Sequence, residues 1–453
     1  MGRFELSAAM NANNVFLVNH SELEGRLDID CYRPEINKLE HKVRAKTTKK
    51  LSDFIIKMAS GATPSVQEEV RFYGDIENGI PFLRVQNLNH NGELSLDEVK
   101  FINHETHNNY LKRSQVSEHD LLVKITGVGR MAIASVAPIG FVGNTNQHMV
   151  VIKTKSEEQS RYLANYLNLD IIEALASRRA TGATRPALDY PALKSIPIIE
   201  HIDFSLLKQA EQQKQQKEQQ AQALLDGIDG YLLNELGITF PQQDNRLEKR
   251  MFTVPFSELT GERFDPDIYF TKHFKIEGGK YENSPLSKLA HVNKGQSITS
   301  NDIMAGKYPV IAGGQSSPYS HNVANYLGNI ITVSASGAYA GFVWYHDNPI
   351  FASDCSVIQS KNEKILNTLY LAELLKTKQK EIYNLQQGAG QPHVYSRDLI
   401  LQNVPLPPIE KQNEIAAHIS QIRAQAKQLQ AAAAQVLATA KAEIERMILG
   451  ENG

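Results

Sequence analysis

The chain has 453 residues, of which 42% are hydrophobic and 22% are charged, and its formal net charge is -2. This length predicts two to four domains of a globular protein. The near-zero charge argues against a protein that coats nucleic acid without sequence preference, because such proteins are usually basic.

Membrane and secretion signals are missing from the sequence. No apolar run approaches the ~18–20 residues of a membrane span, and the amino-terminal segment has no apolar stretch typical of a signal peptide. Cys31 and Cys355 form neither a metal-binding spacing nor a disulfide framework. We therefore expect a cytoplasmic protein with no membrane partner.

The first predicted element is a ten-residue phrase that occurs twice. FLVNHSELEG occupies residues 16–25 and FTVPFSELTG occupies residues 252–261, with identity at six of the ten positions. An Arg-x-Asp sequence follows each copy. Ser-Glu-Leu is typical of the start of a structural element rather than of a binding site. We interpret the phrase as the beginning of each half of a duplicated chain.

Strand-like segments repeat in the same order further along the chain. DLLVKITGVGRMAIA (120–134) resembles NIITVSASGAYAGFV (329–343), and both are β-branched runs interrupted by a glycine turn. This pattern predicts paired strands. The segments 140–155 and 349–361 then predict further strands in the two halves.

A helical stretch and a glycine turn complete each globular repeat. Helices are predicted over 158–177 and 364–385. TGATRPALDYPALKSIPI (181–198) then matches QGAGQPHVYSRDLILQNVPL (387–406), and in both a Gly-Ala turn precedes a proline. The chain is therefore predicted to be a tandem duplication of one globular module.

Each half ends in a predicted long helix, roughly 201–236 and 410–449. Apolar residues alternate at spacings of three and four in both helices, which predicts coiled-coil packing. The predicted seam contains Leu207, Ala210, Ala221, Leu224, Ile228 and Tyr231 in the first helix, and Ile415, Ile419, Ile422, Ala426, Leu429, Ala433, Val436, Ala440 and Met447 in the second. The polar tract 211–220 is compatible with a flexible linker, but its Gln, Glu and Lys residues favour a helix.

The predicted fold is α/β (α+β), with two similar globular domains separated by two long helices that form an antiparallel coiled coil. The result is a pseudo-twofold tandem repeat. The predicted segments are a first globular domain at 1–199, a central helix at 200–240, a second globular domain at 241–408 and a carboxy-terminal helix at 409–453.

This architecture suits a protein that measures distance along duplex DNA. A helix of roughly 36 residues spans ~54 Å, and equivalent major-groove faces recur every ~34–36 Å. Two related but non-identical domains on such a spacer would recognise two different half-sites. The predicted target is therefore split and asymmetric.

The ends of the two globular modules carry a family resemblance. Ile196-Pro-Ile-Ile-Glu200 and Val404-Pro-Leu-Pro-Pro-Ile-Glu-Lys-Gln412 each lead into a long helix, and Gly-Ala-x-x-Pro turns begin at Gly182 and Gly388. In this duplicated order, over nearly its whole length, the chain resembles the specificity subunit of type I restriction–modification systems.

The resemblance implies a role without chemistry of its own. Each globular module would be a target-recognition domain for double-stranded DNA, and the helices would be the conserved spacer regions. Two methyltransferase (modification) subunits would dock on the chain, and endonuclease–translocase (restriction) subunits can join such a complex. The complex would methylate adenine N6 in a bipartite site or cleave unmethylated DNA far from it. This chain itself would hold no catalytic residue, cofactor or metal ion.

Candidate DNA contacts follow from the chemistry of base and phosphate recognition. Arg or Lys suits guanine, Asn or Gln suits adenine, and basic or hydroxyl side chains suit phosphates. The first domain offers Lys124, Arg130, Asn146, Gln147, Arg178, Arg179, Thr184 and Arg185, and the second offers Gln296, Gln315, Ser316, Tyr319, Tyr339, Gln391 and His393. The alternative is that these loops are ordinary polar surface turns.

Two other functional classes stay open from the sequence. One is a single-chain methyltransferase or nuclease fragment, because Asn348-Pro-Ile-Phe351 partly matches an adenine-methyltransferase motif. Ile350 replaces the second proline of that motif, and no glycine-rich cofactor loop precedes it. The other class is a coiled-coil interaction scaffold that does not bind DNA.

Overall fold

The computed structural model describes residues 29–182, 184–239, 278–388 and 390–451, together with 15–20, 23, 27, 246, 248, 251–259, 266, 269 and 276. Part of each copy of the repeated phrase lies outside these residues, so its role as the start of each half stays a prediction. The chain divides into two compact units. Unit 1 contains residues 1–216 and 432–453, and unit 2 contains residues 217–431.

Unit 1 contains two four-stranded sheets. Its strands are β1 (Lys57–Ser60), β2 (Ile80–Leu83), β3 (Lys100–Ile102), β4 (Gln115–Ser117), β5 (Leu121–Lys124), β6 (Ala134–Val136), β7 (Val142–Thr145) and β8 (Met149–Lys153). The main sheet has the order β1-β8-β5-β6 and is antiparallel throughout. The second sheet has the order β3-β2-β7-β4, with β2 and β7 parallel. Buried apolar runs in β5 and β8 place the main sheet in the core.

Unit 2 repeats this topology. Its strands are β9 (Asn283–Pro285), β10 (Ala290–Lys294), β11 (Tyr308–Ile311), β12 (Ser320–His321), β13 (Ile330–Ser334), β14 (Val343–His346), β15 (Phe351–Ala352), β16 (Cys355–Ser360) and β17 (Asn403–Pro405). The main sheet has the order β10-β16-β13-β14, which matches β1-β8-β5-β6 strand for strand. The second sheet, β12-β11-β15, again contains a parallel pair, β11 and β15. The predicted duplication is therefore confirmed at the level of topology.

The helices include two long ones. They are α1 (Pro34–Arg44), α2 (Glu69–Phe72), α3 (Glu157–Leu167), α4 (Asp170–Arg179), α5 (Tyr190–Lys194), α6 (Ser205–Leu236), α7 (Leu286–Leu289), α8 (Thr368–Thr377), α9 (Gln379–Tyr383), α10 (Ser396–Leu399) and α11 (Ile409–Leu449). The polar tract 211–220 lies inside α6, so it is helical and not a linker. Within the described residues, we find no helix with the length and hydropathy needed to cross a membrane.

Each predicted helical stretch of the globular modules forms two shorter helices, α3 with α4 and α8 with α9. In unit 1 the break falls at Asn168, whose side-chain amide exchanges two hydrogen bonds with the backbone of Ala134 in β6, at 2.8 and 3.0 Å. The amide thus ties the helix break to the edge of the main sheet. Leu169, in an extended conformation, then starts the second helix.

The two long helices run antiparallel within each unit. In unit 1, Leu207 near the start of α6 shares a core with Ile444 and Ile448 near the end of α11. In unit 2 the order is reversed, because Glu235 near the end of α6 pairs with Lys411 near the start of α11 at 2.6 Å.

The predicted coiled-coil seam is largely buried. The fully buried members include Leu207, Ile228, Ile415 and Ile419, whereas Leu224, Ile422, Leu429 and Val436 are half-buried. The prediction for Met447 is wrong, because this side chain is 53% exposed and Ile444 and Ile448 are buried instead. At its end α11 leaves the 3.5-residue repeat of a coiled coil and packs as an ordinary helix in the core of unit 1.

The units divide inside both long helices, at residues 216/217 and 431/432. Each unit therefore combines a globular module with one part of α6 and one part of α11. The predicted borders of the four sequence segments stay a proposal.

Candidate nucleic-acid interface

In unit 1, the Gly182 loop (residues 181–187) packs on the hairpin turn that joins β5 to β6. Gly127 in the turn donates its backbone N–H to the carbonyl of Pro186 at 3.0 Å. Before the turn, Ile125 donates to the carbonyl of His148, in the link between β7 and β8, at 2.9 Å. The three loops therefore meet at one end of the main sheet.

In unit 2, the Gly388 loop (residues 387–393) makes the corresponding bonds. Gly337 in the β13–β14 turn donates to the carbonyl of Pro392 at 3.0 Å. Ala335 donates to the carbonyl of Asp354, before β16, at 3.2 Å. We call the hairpin turn, the glycine loop and the link before β8 or β16 the loop cluster of each unit.

The two glycine loops require glycine at the same place. Gly182 and Gly388 both have φ +99°, a conformation that other residues adopt only with strain. A Cβ atom would lie 3.1 Å from the carbonyl oxygen of Arg185 in one loop and 2.9 Å from that of Gln391 in the other. The backbone geometry is thus shared, and the difference between the loops lies in their side chains.

The loop cluster of unit 1 exposes polar and cationic groups. Arg185 and Thr184 are exposed, and Arg185 Nη2 lies 3.0 Å from His148 Nε2. Partial burial, and then the charge of Arg185, lower the pKa of His148. Gln147, also exposed, accepts a hydrogen bond from Thr63 in the loop after β1. Three predicted residues, Gln147, Thr184 and Arg185, therefore lie at one surface.

The loop cluster of unit 2 exposes neutral polar and aromatic groups. Gln391 and Tyr339 are exposed on the glycine loop and the hairpin turn. Gln315 and Ser316 are exposed on the loop after β11, which approaches the turn closely, since a Cβ on Gly313 would lie 2.5 Å from the Ser336 oxygen.

The remaining predicted residues of unit 2 lie around the same loops. Gln296 is exposed, and its backbone N–H donates to the carbonyl of Ala352 at 3.0 Å. Tyr319 is exposed beside β12. His393 is half-buried and forms bridges to both Gln387 and Ser336.

Sequence reasoning missed a stacked group that continues the Gly388 loop. The rings of His393 and Tyr395 lie 6.1 Å apart and nearly parallel, and the Arg397 guanidinium lies 4.7 Å from the centre of the Tyr395 ring. Aromatic and cationic residues at every second position were the available signal, because alternate residues of an extended chain share one side. Thr63 carried no comparable signal.

The structure corrects the assignment of Arg178 and Arg179. Both side chains are buried at the end of α4 and pair with Glu40 of α1, Arg178 at 2.6 Å. Burial alone would raise the pKa of Glu40, but the charges and hydrogen bonds of its arginine partners lower it. These two arginines join helices and do not face DNA.

Lys124, Asn146 and Arg130 are also corrected. Lys124 is buried, and its ammonium donates to the carbonyl of Val128 at 2.7 Å, across the hairpin turn. Asn146 is buried and accepts the backbone N–H of His148 at 3.1 Å. Arg130 pairs with Asp170 of α4. A positive charge in the sequence of a loop thus did not specify an outward direction.

The chemistry of the exposed groups suits hydrogen bonding. Guanidinium, amide, imidazole and phenol groups offer the directional donors and acceptors that base edges require. Among the residues described, no group of three His, Cys, Asp or Glu side chains could hold a metal ion. The Asn348–Phe351 segment supplies buried Ile350 and Phe351 to the second sheet region of unit 2.

A comparison with protein families gives the assignment. The model of the type I restriction modification DNA specificity domain matches residues 45–200 and 279–437, which together make up more than half of the chain. The chain belongs to this family. One loop cluster of the structure falls in each matched range, with Gly182 in the first and Gly388 in the second.

Individual relatives are more distant. The chain is 34% identical over 92 residues to the type I restriction enzyme MjaVIII specificity subunit of Methanocaldococcus jannaschii, an alignment that covers 20% of this chain and 21% of that protein. It thus spans about a fifth of the relative's length.

Solved structures with similar chains include the S subunit of a type I restriction–modification system from M. genitalium, at a TM-score of 0.41 and 14% identity, covering 89% of this chain and 95% of that one. The HsdS subunit from Thermoanaerobacter tengcongensis has a TM-score of 0.37 and 12% identity, covering 89% and 96%. The family assignment rests on the family model and not on these likenesses.

Proposed function

We propose that this member of the specificity family recognises a bipartite, asymmetric DNA site, with one half-site for each unit. The observation that carries the proposal is the pair of loop clusters. Their backbone hydrogen bonds coincide, from Gly127–Pro186 to Gly337–Pro392, while the exposed side chains differ. A shared backbone with different side chains is what two readers of different sequences need.

The exposed residues suggest which contacts each unit would make. Arg185 suits the O6 and N7 acceptors of guanine, and Gln391 suits the N6 and N7 groups of adenine. The other proposed contacts are Gln147 and Thr184 in unit 1, and Gln296, Gln315, Ser316, Tyr319, Tyr339 and His393 in unit 2. Lys124, Asn146, Arg178 and Arg179 are left out because they are buried.

We assign the chemistry to partner subunits. Two methyltransferase subunits would dock on the chain, endonuclease–translocase subunits would join them for cleavage, and this chain would contribute recognition alone. Two units of the same topology offer two similar surfaces, which fits two copies of one partner. Double-stranded DNA as the ligand places the complex in the cytoplasm.

The test compares two substitutions in a reconstituted complex. The chain is purified with the methyltransferase of the same host, and methylated adenines are mapped on genomic DNA. Arg185→Ala should relax one half-site by about 10- to 100-fold, and Gln391→Ala should relax the other, because one bidentate base contact is removed each time. Arg161→Ala, at an exposed ion pair on α3, is the matched control.

Three outcomes would contradict the proposal. Equal loss at both half-sites after Arg185→Ala would exclude one half-site per unit. Methyl transfer by the purified chain alone would favour the single-chain enzyme. A complex that recognises no DNA sequence would favour the interaction scaffold.

A further inference from the structure

Arg130 lies where the β5–β6 hairpin turn returns to the sheet, and it points to a helix. Its guanidinium pairs with Asp170 at the start of α4 through Nη1. Nη2 donates to the carbonyl of Asn168 at 3.2 Å. The turn is therefore fixed to the amino terminus of α4 by a charged pair and a second hydrogen bond.

A residue of the second long helix holds the same end of α4. Glu445 Oε1, on α11, accepts the backbone N–H groups of Asp170 at 2.5 Å and Ile171 at 3.3 Å. The first N–H groups of a helix have no partner within the helix, and a carboxylate there is favoured by the helix dipole. Glu445 thus links α11 to the point at which Arg130 is held.

Neutral hydrogen bonds support this link. The backbone N–H of Met131 donates to Glu173 on α4 at 3.2 Å. Lys441, one turn before Glu445 on α11, donates to the carbonyl of His90 at 3.2 Å. Burial lowers the pKa of Lys441 and raises that of Glu445. These groups lie in a partly dry environment, where directed contacts are stronger than in water.

The other side of the turn contacts the Gly182 loop. Gly127 donates to Pro186, next to the exposed Arg185. The hairpin turn therefore lies between α4 and α11 on one side and the loop that presents Arg185 on the other. Any shift of the turn would move Arg185.

We propose that Arg130 is a positioning residue for DNA recognition by unit 1. Through Asp170, on a helix end held by Glu445, it sets the hairpin turn against which the Gly182 loop packs, and so fixes the direction of Arg185. This inference rests on the proposed function. It assigns Arg130 a role without DNA contact.

Unit 2 holds its hairpin turn by neutral amides. Gln379 donates to the carbonyl of Gly341 at 2.7 Å and accepts the N–H of Val343 at 2.9 Å, and Gln386 donates to the carbonyl of Ala340 at 2.7 Å. A loss of the charged pair should therefore affect only the half-site of unit 1.

The test measures binding of the methyltransferase complex to its cognate duplex at several salt concentrations. Arg130→Ala and Asp170→Ala should each weaken binding by about tenfold, a size typical of residues that act through others. The double variant should lose no more than either single variant, because both remove one interaction. The dependence of binding on salt should stay unchanged, since no phosphate contact is lost.

An exchange of the two charges separates positioning from contact. The variant with Arg130→Asp and Asp170→Arg should recover at least part of the lost affinity, and Arg161→Ala serves as the control on an exposed pair. A salt dependence that becomes shallower by about one counterion after Arg130→Ala, with no recovery on exchange, would show that Arg130 contacts DNA. That result overturns this inference alone. A wild-type complex that recognises no split site would overturn the proposed function, and this inference with it.

Discussion

Unit 1 and unit 2 share a backbone and differ in the groups they present. The turn-to-loop bond joins Gly127 to Pro186 in one unit and Gly337 to Pro392 in the other, at 3.0 Å in both. Beside these bonds, unit 1 exposes Arg185. Unit 2 has neutral and aromatic groups there. The comparison teaches that main-chain hydrogen bonds preserve the loop geometry while side chains diverge without cost to the fold.

The units also differ in where a buried carboxylate joins helices. Glu40 of unit 1 binds Arg178 and Arg179, so it links α1 to α4. Glu373 of unit 2 binds Arg423 at 2.5 Å, so it links α8 to the long helix α11. The partners of Glu40 are almost fully buried, whereas the Arg423 side chain is 40% exposed.

The largest expected effect comes from removing the buried carboxylate of unit 1. Glu40→Ala leaves two buried arginines without their shared partner and should lower the free energy of unfolding by about 3–5 kcal/mol. Glu373→Ala should cost about 1–3 kcal/mol, because the partly exposed Arg423 can turn to water. Urea unfolding of the purified chain measures both.

Exposed Glu35, on the same helix as Glu40, provides the matched control, and Glu35→Ala should change stability by less than about 0.5 kcal/mol. Since the pKa of Glu40 is lowered in the folded chain, its contribution is present above the unfolded carboxyl pKa and is lost as the pH falls through the folded pKa. If Glu40→Ala unfolds at the same urea concentration as Glu35→Ala, the pair does not stabilise unit 1.

An intermediate effect tests the shared backbone. Gly182→Ala and Gly388→Ala should each strain a loop by about 1–2 kcal/mol and impair methylation through one half-site only. The two losses should be similar, because both glycines have φ +99°. Adenine methylation of duplexes with one altered half-site at a time gives the measurement.

Gly390 offers a control within the same loop, since a Cβ there would meet no atom within 4 Å. Gly390→Ala should leave both half-sites unchanged. An equal effect of Gly390→Ala and Gly388→Ala would mean that loop size, and not the backbone conformation at Gly388, determines recognition.

The smallest expected effect concerns His148, which has Asp354 as its counterpart in unit 2. Because burial and then the charge of Arg185 lower its pKa, Arg185→Ala should raise the pKa only part of the way to the ordinary value. Protonation of folded His148 is disfavoured, so its small effect on stability appears as the pH falls below the unfolded imidazole pKa. An NMR titration of the ring protons would detect the shift, and an unchanged midpoint would separate Arg185 from His148.

The sequence predicted the repeated parts of the fold well. Both hairpins, β5–β6 and β13–β14, were indicated by apolar runs around glycine turns, and both long helices by their heptad spacing. These features depend on local periodicity, which survives in a single sequence. The positions of Gly182 and Gly388 were found for the same reason, since a tight turn that leads into a proline is a local signal.

Tertiary structure alone decided which charged side chains face outward. Arg178, Arg179 and Arg185 lie within eight residues of one another, yet Glu40 lies 138 residues from Arg178 and binds the first two. Such partners come together only when the chain folds, so composition could not separate a helix-joining arginine from a candidate DNA contact. By itself the sequence determined the duplicated frame and its loops. Only folding decided the roles of Lys124, Arg130 and the last turns of α11, because burial and pairing depend on distant residues.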